Sequence, residues 1–222
     1  MTNLKLIITE DGSHTLLNSE LKEHYHSFHG AIAESQHIFI NAGLRFAVQN
    51  RLSINILEIG FGTGLNALLS FDESTKKNFH CNYTTVEAHP LSENIFSRLN
   101  YPELLGISNE IFKSIHCCKW NEEIIISDHF NLHKLHSSIL NLKLPVDFFD
   151  LVFFDAFGPD VQPEMWTNQV FSNINLSMKK NAILTTYSTK GDVKRTLKSV
   201  GFVIEKLPGP KGKREILRAL KN

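Results

Sequence analysis

Three glycines, at positions 60, 62 and 64, stand where an apolar segment ends, in Leu57-Glu58-Ile59-Gly60-Phe61-Gly62-Thr63-Gly64-Leu65-Asn66. A residue without a Cβ lets the backbone approach a ligand closely. A helix opening just beyond it offers that ligand unpaired N–H groups. The spacing is Gly-x-Gly-x-Gly. A dinucleotide fingerprint has Gly-x-Gly-x-x-Gly or Ala, and Leu65 stands where its last small residue belongs. Glu58, directly before the loop, is a second departure.

Three further carboxylates fall at strand ends. Glu87 comes 23 residues after Gly64 and ends a Cys-Asn-Tyr-Thr-Thr-Val segment. A carboxylate there accepts hydrogen bonds from the two ribose hydroxyls of an adenosyl cofactor. SAM (S-adenosylmethionine) and NAD both need that group, so Glu87 does not choose between them. The glycine spacing with Glu58 is the form used for SAM, the loop facing the amino-acid part of the cofactor. Ser127-Asp128 follows the next strand, and its carboxylate is placed to accept from an adenine amino group. Asp155 ends the most apolar segment, in Phe153-Phe154-Asp155-Ala156-Phe157. Ligands of open α/β sheets bind outside the carboxyl ends of the strands, so Asp155 falls at the reactive end of the cofactor. Methyl transfer to an amine needs the nucleophile aligned and deprotonated, and a carboxylate can orient the amine and accept its proton.

The elements that must position these groups follow from the pattern. Strands Ile54–Gly60, Cys81–Glu87, Glu122–Ser127, Phe149–Ala156 and Ala182–Ser188 alternate with helical segments. Such alternation means a parallel α/β sheet. Phe202–Pro208 and Arg214–Leu220 are joined by a short loop, so they pair antiparallel. One helix runs from Pro163 to Met178, and another from Asp192 to Val200, closed by Gly201. Before this fold, Asp11-Gly12 between apolar runs predicts a β-hairpin. Ala31–Gln49 then predicts a helix with Ile32, Ser35, Phe39 and Phe46 near one face. Residues 1–50 are thus read as an N-terminal extension packed on a main domain of residues 51–222.

Composition excludes several classes. Of the 222 residues, 42% are hydrophobic and 21% charged, enough apolar surface for a core and too much for a disordered chain. No apolar run reaches the roughly 18 residues of a membrane span, and the start lacks a signal-peptide pattern. Cys81, Cys117 and Cys118 make no disulfide framework, so a cytoplasmic location is expected. His24, His26 and His29 lack a partner at metal-ligand spacing, so no metal is expected. The zero net charge hides an asymmetry: residues 179–222 hold 12 of the 23 Lys+Arg and 3 of the 23 Asp+Glu. A basic segment of that kind points to a polyanion.

Several segments together resemble one family, the tRNA 5-methylaminomethyl-2-thiouridine methyltransferases. These are stand-alone enzymes related to the N-terminal half of the bifunctional MnmC protein. The matching segments are Tyr25-His26-Ser27, Ala33–Ile40, Glu58–Asn66, Glu87 with Pro90-Leu91, Asp155-Ala156-Phe157, Pro163–Trp166, Thr186-Tyr187-Ser188 and Gly212–Glu215. The resemblance implies a class I SAM-dependent methyltransferase fold: Rossmann-like, with a mostly parallel seven-stranded sheet and an antiparallel last strand. It implies SAM as methyl donor and methylation of the aminomethyl group on the wobble uridine of tRNA. Carried onto this sequence, Glu58, Gly60, Gly62, Gly64 and Asn66 form the cofactor segment, Glu87 meets the ribose, Asp128 the adenine, and Asp155 the amine. Lys190, Lys194, Arg195, Lys211, Lys213 and Arg214 then become phosphate contacts, with Arg98 and Trp166 as further candidates. The bifunctional relatives continue into a flavin-dependent oxidase, whereas this sequence stops at Asn222. No flavin is expected, and a separate enzyme is expected to supply the aminomethyl-uridine. The competing readings are a methyltransferase of small amines, a nicotinamide-dependent oxidoreductase, and a non-catalytic RNA-binding module.

Overall fold

The computed structural model describes residues 4–49 and 51–222. Leu4–Ile8 (β1) and His14–Asn18 (β2) pair antiparallel around the Asp11-Gly12 turn, and Glu23–His24 (β3) joins β2. The Asp11 carboxylate closes the turn, accepting from Thr9 Oγ1 at 2.7 Å and the Ser13 N–H at 3.0 Å. An Asp at such a place substitutes for a backbone turn partner.

The segment from Ala31 to Val48 is helical but not one regular helix. Ala31–Ser35 (α1) and Arg45–Val48 (α2) flank a π-helix at Gln36–Leu44. Its wider i→i+5 turn shifts the phase of every later residue. This corrects the predicted face: Ser35 and Phe39 are buried, but Phe46 is 41% exposed, its ring covered by the Arg218 guanidinium 3.5 Å from the centroid. Phe39 reaches Phe153 on the sheet with ring centroids 5.3 Å apart.

The main sheet is built from Ser53–Ile59 (β4), His80–Glu87 (β5), Glu123–Ser127 (β6), Phe130–His136 (β7), Phe149–Phe154 (β8), Met178–Thr186 (β9), Phe202–Pro208 (β10) and Glu215–Lys221 (β11). Its order is β10-β11-β9-β8-β4-β5-β7-β6. Strands β9, β8, β4, β5 and β7 are parallel, while β11 runs antiparallel to both β9 and β10. Among the described residues the sheet has eight strands, one more than expected. Glu123–Ser127, read as the third parallel strand, is instead an antiparallel edge strand, and Phe130–His136 takes the third parallel place.

Helices cover both faces. Leu65–Lys77 (α3) follows β4, and Glu93–Phe96 (α4), Tyr101–Leu105 (α5) and Asn109–Cys117 (α6) lie between β5 and β6. Asn168–Ser177 (α7) precedes β9 and Gly191–Ser199 (α8) follows it. Adjacent residues of one strand feed opposite cores. Ile56, Leu151 and Phe153 pack with the π-helix and α3, whereas Leu57, Val152 and Phe154 pack with α7 and α8. Strands buried on both faces read as continuous apolar runs, which is why β4 and β8 are plain in the sequence. The predicted helix from Pro163 is broken: Pro163–Trp166 is a 3-10 turn, and Thr167 resets the chain, its hydroxyl accepting from the Val170 N–H at 3.4 Å.

The first crossovers run from β4 outward through β5 to β7, and the chain then returns to β8 on the other side of β4. A crevice opens at that switch point, outside the carboxyl ends of β4 and β8. The π-helix packs close beneath it. A Cβ on Gly43 would lie 3.0 Å from Phe153 Cε1 and 3.2 Å from Thr185 Oγ1. Gly43→Val is therefore expected to destabilise the fold by about 1–3 kcal/mol through overpacking. A urea midpoint equal to that of the wild type would contradict this packing.

Candidate functional site

The glycine loop leaves β4 in a conformation that side chains resist. Gly60, Gly62 and Gly64 have φ of 93°, 49° and 70°. The Gly60 N–H donates to Val86 O at 3.0 Å, and the Asp155 N–H donates to Ile59 O at 3.0 Å, so β5 and β8 grip the end of β4. A Cβ on Gly60 would stand 2.8 Å from the carbonyl oxygen of Asp155. The loop is buttressed from behind by two histidines at Thr63. His26 Nε2 lies 2.6 Å from Thr63 Oγ1, and His116 Nε2 donates to Thr63 O at 3.1 Å. Burial lowers the pKa of His26 to about 4 and that of His116 to about 3, so both rings are neutral near pH 7. His26 thus serves the loop. His29 pairs with Glu10 at 3.0 Å. Among the described residues, no cluster of His, Cys, Asp or Glu has the placement of a metal site.

A cavity of about 1170 Å³ opens at the carboxyl ends of the strands. Gly60, Gly62, Glu87 and Asp155 line it together, as do Asn66 and Lys213. The Glu87 carboxylate ties two loops: Oε2 accepts from the Gly62 N–H at 3.0 Å and Oε1 from the His89 N–H at 2.7 Å. The wall beyond Glu87 is made by His136-Ser137-Ser138 at the end of β7, with Pro90 and Leu91 opposite Ile139 and Leu140. Asp128 is not there. It lies in the hairpin between β6 and β7, at the amino end of the parallel strands, and its carbonyl accepts from His80 Nδ1 at 3.2 Å. The cause is the strand order: with Phe130–His136 as the parallel strand, the cavity end is His136 and not Asp128.

Glu58 is also displaced from its expected role. It is fully buried under the loop and absent from the cavity wall. Its Oε2 accepts from Thr85 Oγ1 at 2.7 Å, and burial raises its pKa to about 8. Glu58 Oε1 and Asn66 Oδ1 are both buried without a partner among the described residues. The buried Tyr83 hydroxyl, also without a hydrogen-bond partner among the described residues, and the Asn66 side chain both face Glu58. Asn66 in turn donates from Nδ2 to Asp155 Oδ2 at 2.8 Å. Burial pushes the Asp155 carboxyl well above its ordinary value, and the carboxylates of Glu34 and Glu58 push the same way.

Around Asp155 the wall is aromatic and acidic. Tyr25 meets Phe157 edge to face with centroids 5.0 Å apart, and Tyr187 donates its hydroxyl hydrogen to Ala156 O at 2.9 Å. Glu34, from α1, and Lys213, from the β10–β11 loop, complete this end. Of the six expected phosphate contacts, only Lys213 lines the cavity, and it turns inward. Lys190 pairs with Asp160, Arg195 with Asp192, and Lys211 with Glu10 at 2.8 Å. Lys194 is half-buried near Glu215, while Arg214 is exposed. Trp166 is buried and donates from Nε1 to Phe157 O at 2.8 Å, so it supports the loop and faces no solvent-borne partner. The contributions of Glu34, Tyr25 and Tyr187 had only their place in the resembling segments to announce them.

Glu58 gives a pH signature. Its folded-state pKa, about 8, lies above its ordinary 4.5, so the stability it confers is complete below 4.5 and is lost as pH rises through 8. Glu58→Gln keeps the shape without the titration. Its stability relative to wild type is expected to rise by about 1.4 kcal/mol per pH unit across that window. A wild-type-minus-variant difference that stays flat in urea titrations across the window would show that Glu58 is ionised in the fold.

The residues fit a SAM molecule on their own chemistry: a loop whose Gly60 Cβ position is denied, a carboxylate at the end of the neighbouring strand in the same cavity, and an apolar wall beyond it. Comparison with known proteins agrees. The sequence model of a family described as S-adenosyl-L-methionine-dependent methyltransferase matches residues 119–222. The chain is 30% identical to the tRNA 5-methylaminomethyl-2-thiouridine biosynthesis bifunctional protein MnmC of Leptospira interrogans, over 95% of this chain and 34% of that protein. It is 29% identical to the MnmC of Aromatoleum aromaticum, over 96% and 35%. The chain thus spans about a third of the length of these curated relatives. Among solved structures it is similar to MNMC2 from Aquifex aeolicus, with 26% identity, a TM-score of 0.82, and coverage of 99% of this chain and 70% of the other. A spermidine synthase from Thermotoga maritima shares the fold, at 10% identity and a TM-score of 0.59, over 100% and 74%. The chain is thus similar to S-adenosyl-L-methionine-dependent methyltransferases over residues 119–222, and over nearly all of its own length to about a third of the MnmC proteins.

Proposed function

We propose that this chain transfers the methyl group of SAM to the amine of 5-aminomethyl-(2-thio)uridine at the wobble position of tRNA, giving 5-methylaminomethyl-(2-thio)uridine. The observation that carries this reading is the acidic, aromatic end of the cavity around Asp155, directly beside the glycine loop. An alkylamine arrives from water as an ammonium ion, and carboxylates beside aromatic rings suit such a cation. The near full-length likeness to MnmC proteins supports the tRNA substrate. A cytoplasmic location goes with that substrate. Among the described residues, no helix is long and apolar enough to cross a membrane.

In this reading Gly60 and Gly62 admit the amino-acid part of the cofactor against bare backbone, and Glu87 accepts from the ribose hydroxyls; Gly64, expected to join them, is absent from the cavity wall because its Cβ position faces His116 and Phe61. His136 to Leu140 cover the adenine side in place of Asp128. SAM supplies an electrophilic methyl group on a sulfonium. Asp155, held by Asn66, orients the amine and holds its proton. The raised pKa makes Asp155 a stronger base than an exposed carboxylate, and an arriving ammonium favours its ionised form. The aminomethyl group itself comes from another activity, because methyl transfer does not create an amine.

One observation favours a second acceptor, a small free amine. Most cations of the basic C-terminal segment already have acidic partners, and Lys180, Lys194, Lys198 and Arg214 are those without one among the described residues. Incubation with labelled SAM and tRNA from a strain lacking this modification separates the two readings. Label is expected in the wobble nucleoside after digestion. Label in small amines with none in tRNA would overturn the tRNA reading.

Two variants refine it. Asp155→Asn keeps the shape and loses the charge, so single-turnover methylation is expected to fall roughly 100-fold or more. An unchanged rate would reduce Asp155 to a loop anchor. Arg214→Ala is expected to raise the apparent KM for tRNA and to lower the salt slope by about one, because one phosphate is no longer neutralised. An unchanged salt slope would remove Arg214 from the tRNA surface.

A further inference from the structure

The cavity wall is strongly acidic. Glu20, Glu23, Glu34, Glu87, Asp155 and Glu164 line it, and among the described residues Lys213 is the only Lys or Arg that does. Lys213 Nζ lies 3.5 Å from Glu34 Oε1 and 4.9 Å from the centroid of the Tyr187 ring. The other oxygen of Glu34 accepts from the Ser27 N–H at 2.7 Å. Glu34 is 8% exposed, and these two donors occupy both of its carboxylate oxygens. Lys213 is delivered by a tightly anchored loop. Its N–H donates to Pro210 O at 2.9 Å, the Gly209 N–H donates to Arg214 O at 3.1 Å, and His37 Nε2 donates to Pro208 O at 2.8 Å.

We infer that Glu34 and Lys213 are a charge-compensating pair of positioning residues that leaves Asp155 as the carboxylate taking the proton of the acceptor amine. The inference rests on the reading of the cavity as an amine-methylation site. Without Lys213, Glu34 and Asp155 would be two uncompensated carboxylates of one cavity, with nothing to mark out either as the base. With Lys213 on Glu34, that carboxylate is occupied by a cation. Its charge still repels a second negative charge nearby, which makes Asp155 the more basic of the two. The ammonium then gives its proton to an Asp155 oxygen. The freed nitrogen lone pair forms the bond to the methyl carbon, and the carbon–sulfur bond breaks with its electron pair going to sulfur. A secondary ammonium, a neutral thioether and protonated Asp155 result, and the last proton leaves to solvent.

Asp155 is faced by Glu58 from β4, Asn66 from α3, Tyr83 from β5, Glu34 from α1, Tyr187 after β9, and Lys213. The test must therefore move only the pair. Asp and Glu carboxyls are labelled with carbon-13, and their NMR titrations are followed in the protein alone, with no tRNA. Glu34→Gln keeps the acceptor for Ser27 and is expected to lower the Asp155 titration by about one pH unit or more. Lys213→Met is expected to move the first protonation of the Glu34–Asp155 pair to higher pH, and Lys213→Arg to restore it. The acid limb of the single-turnover pH profile is expected to shift in the same directions. A merely structural clasp would lower the melting temperature and leave the titrations in place. Titrations unmoved in both Glu34→Gln and Lys213→Met, or moved in the same direction, would overturn the pair. A wild type that fails to methylate tRNA would instead overturn the functional reading, and the NMR titrations would still report on the pair.

Discussion

Gly60 and Asp155 meet backbone to backbone where β4 and β8 part, and the geometry of the cavity depends on that contact. A Cβ at position 60 would stand 2.8 Å from the Asp155 carbonyl oxygen. With glycine there, the ends of two neighbouring parallel strands stay together while the chain above them turns in opposite directions. The glycine loop goes toward β5 and Glu87, and the Asp155 loop goes toward β9 and Tyr187. In the proposed reading, one cavity then receives a cofactor on one side and an acceptor on the other. Binding energy is thereby converted into alignment, which is what a transfer between two bound groups chiefly requires.

The N-terminal segment supplies much of the acceptor side. Tyr25, His26 and Glu34 come from it, and each reaches a different part of the site: the aromatic wall, the glycine loop, and the cation from the β10–β11 loop. The β10–β11 loop closes against the same segment through Lys211 and Glu10, and a Cβ on Gly212 would collide with His29. Parts of the chain about 180 residues apart in sequence thus form one wall. A buried ion pair is weak support for stability, but it fixes where charges sit. In the proposed reaction it is the position of charge that marks out Asp155 as the base.

The sequence makes the donor half of the site legible and leaves most of the acceptor half hidden. The glycine loop, Glu87 and Asp155 follow strands buried on both faces, whose apolar runs need no partner to be recognised. Strand β7 escapes notice because Lys134 sits within it. That lysine is fully buried, donates to the His116 carbonyl and lies 4.6 Å from the Trp120 ring centroid, a compensation that only the fold reveals. With β7 unseen, the adenine side falls at Asp128. The π-helix is hidden for a different reason: its wider turn leaves no mark in a 3.6-residue period, so that period sets Phe46 on the wrong face. Charge counting at the C-terminus does not show where the cations point. Twelve cations in residues 179–222 suggest a phosphate-binding face, yet Lys213 points into the cavity and Lys190, Arg195 and Lys211 are paired. Long-range pairing cannot be read from local composition.

The central claim is that one cavity at the β4–β8 switch point holds donor and acceptor together, with Asp155 at the amine. A crystal structure with S-adenosylhomocysteine and an anticodon stem-loop carrying 5-aminomethyluridine tests it most directly. The account predicts the adenosyl group between Glu87 and the His136–Ile139 wall, and the amine nitrogen within hydrogen-bonding reach of the Asp155 carboxylate. An aminomethyl group bound away from Asp155, or an adenosyl group outside the glycine loop, would contradict it.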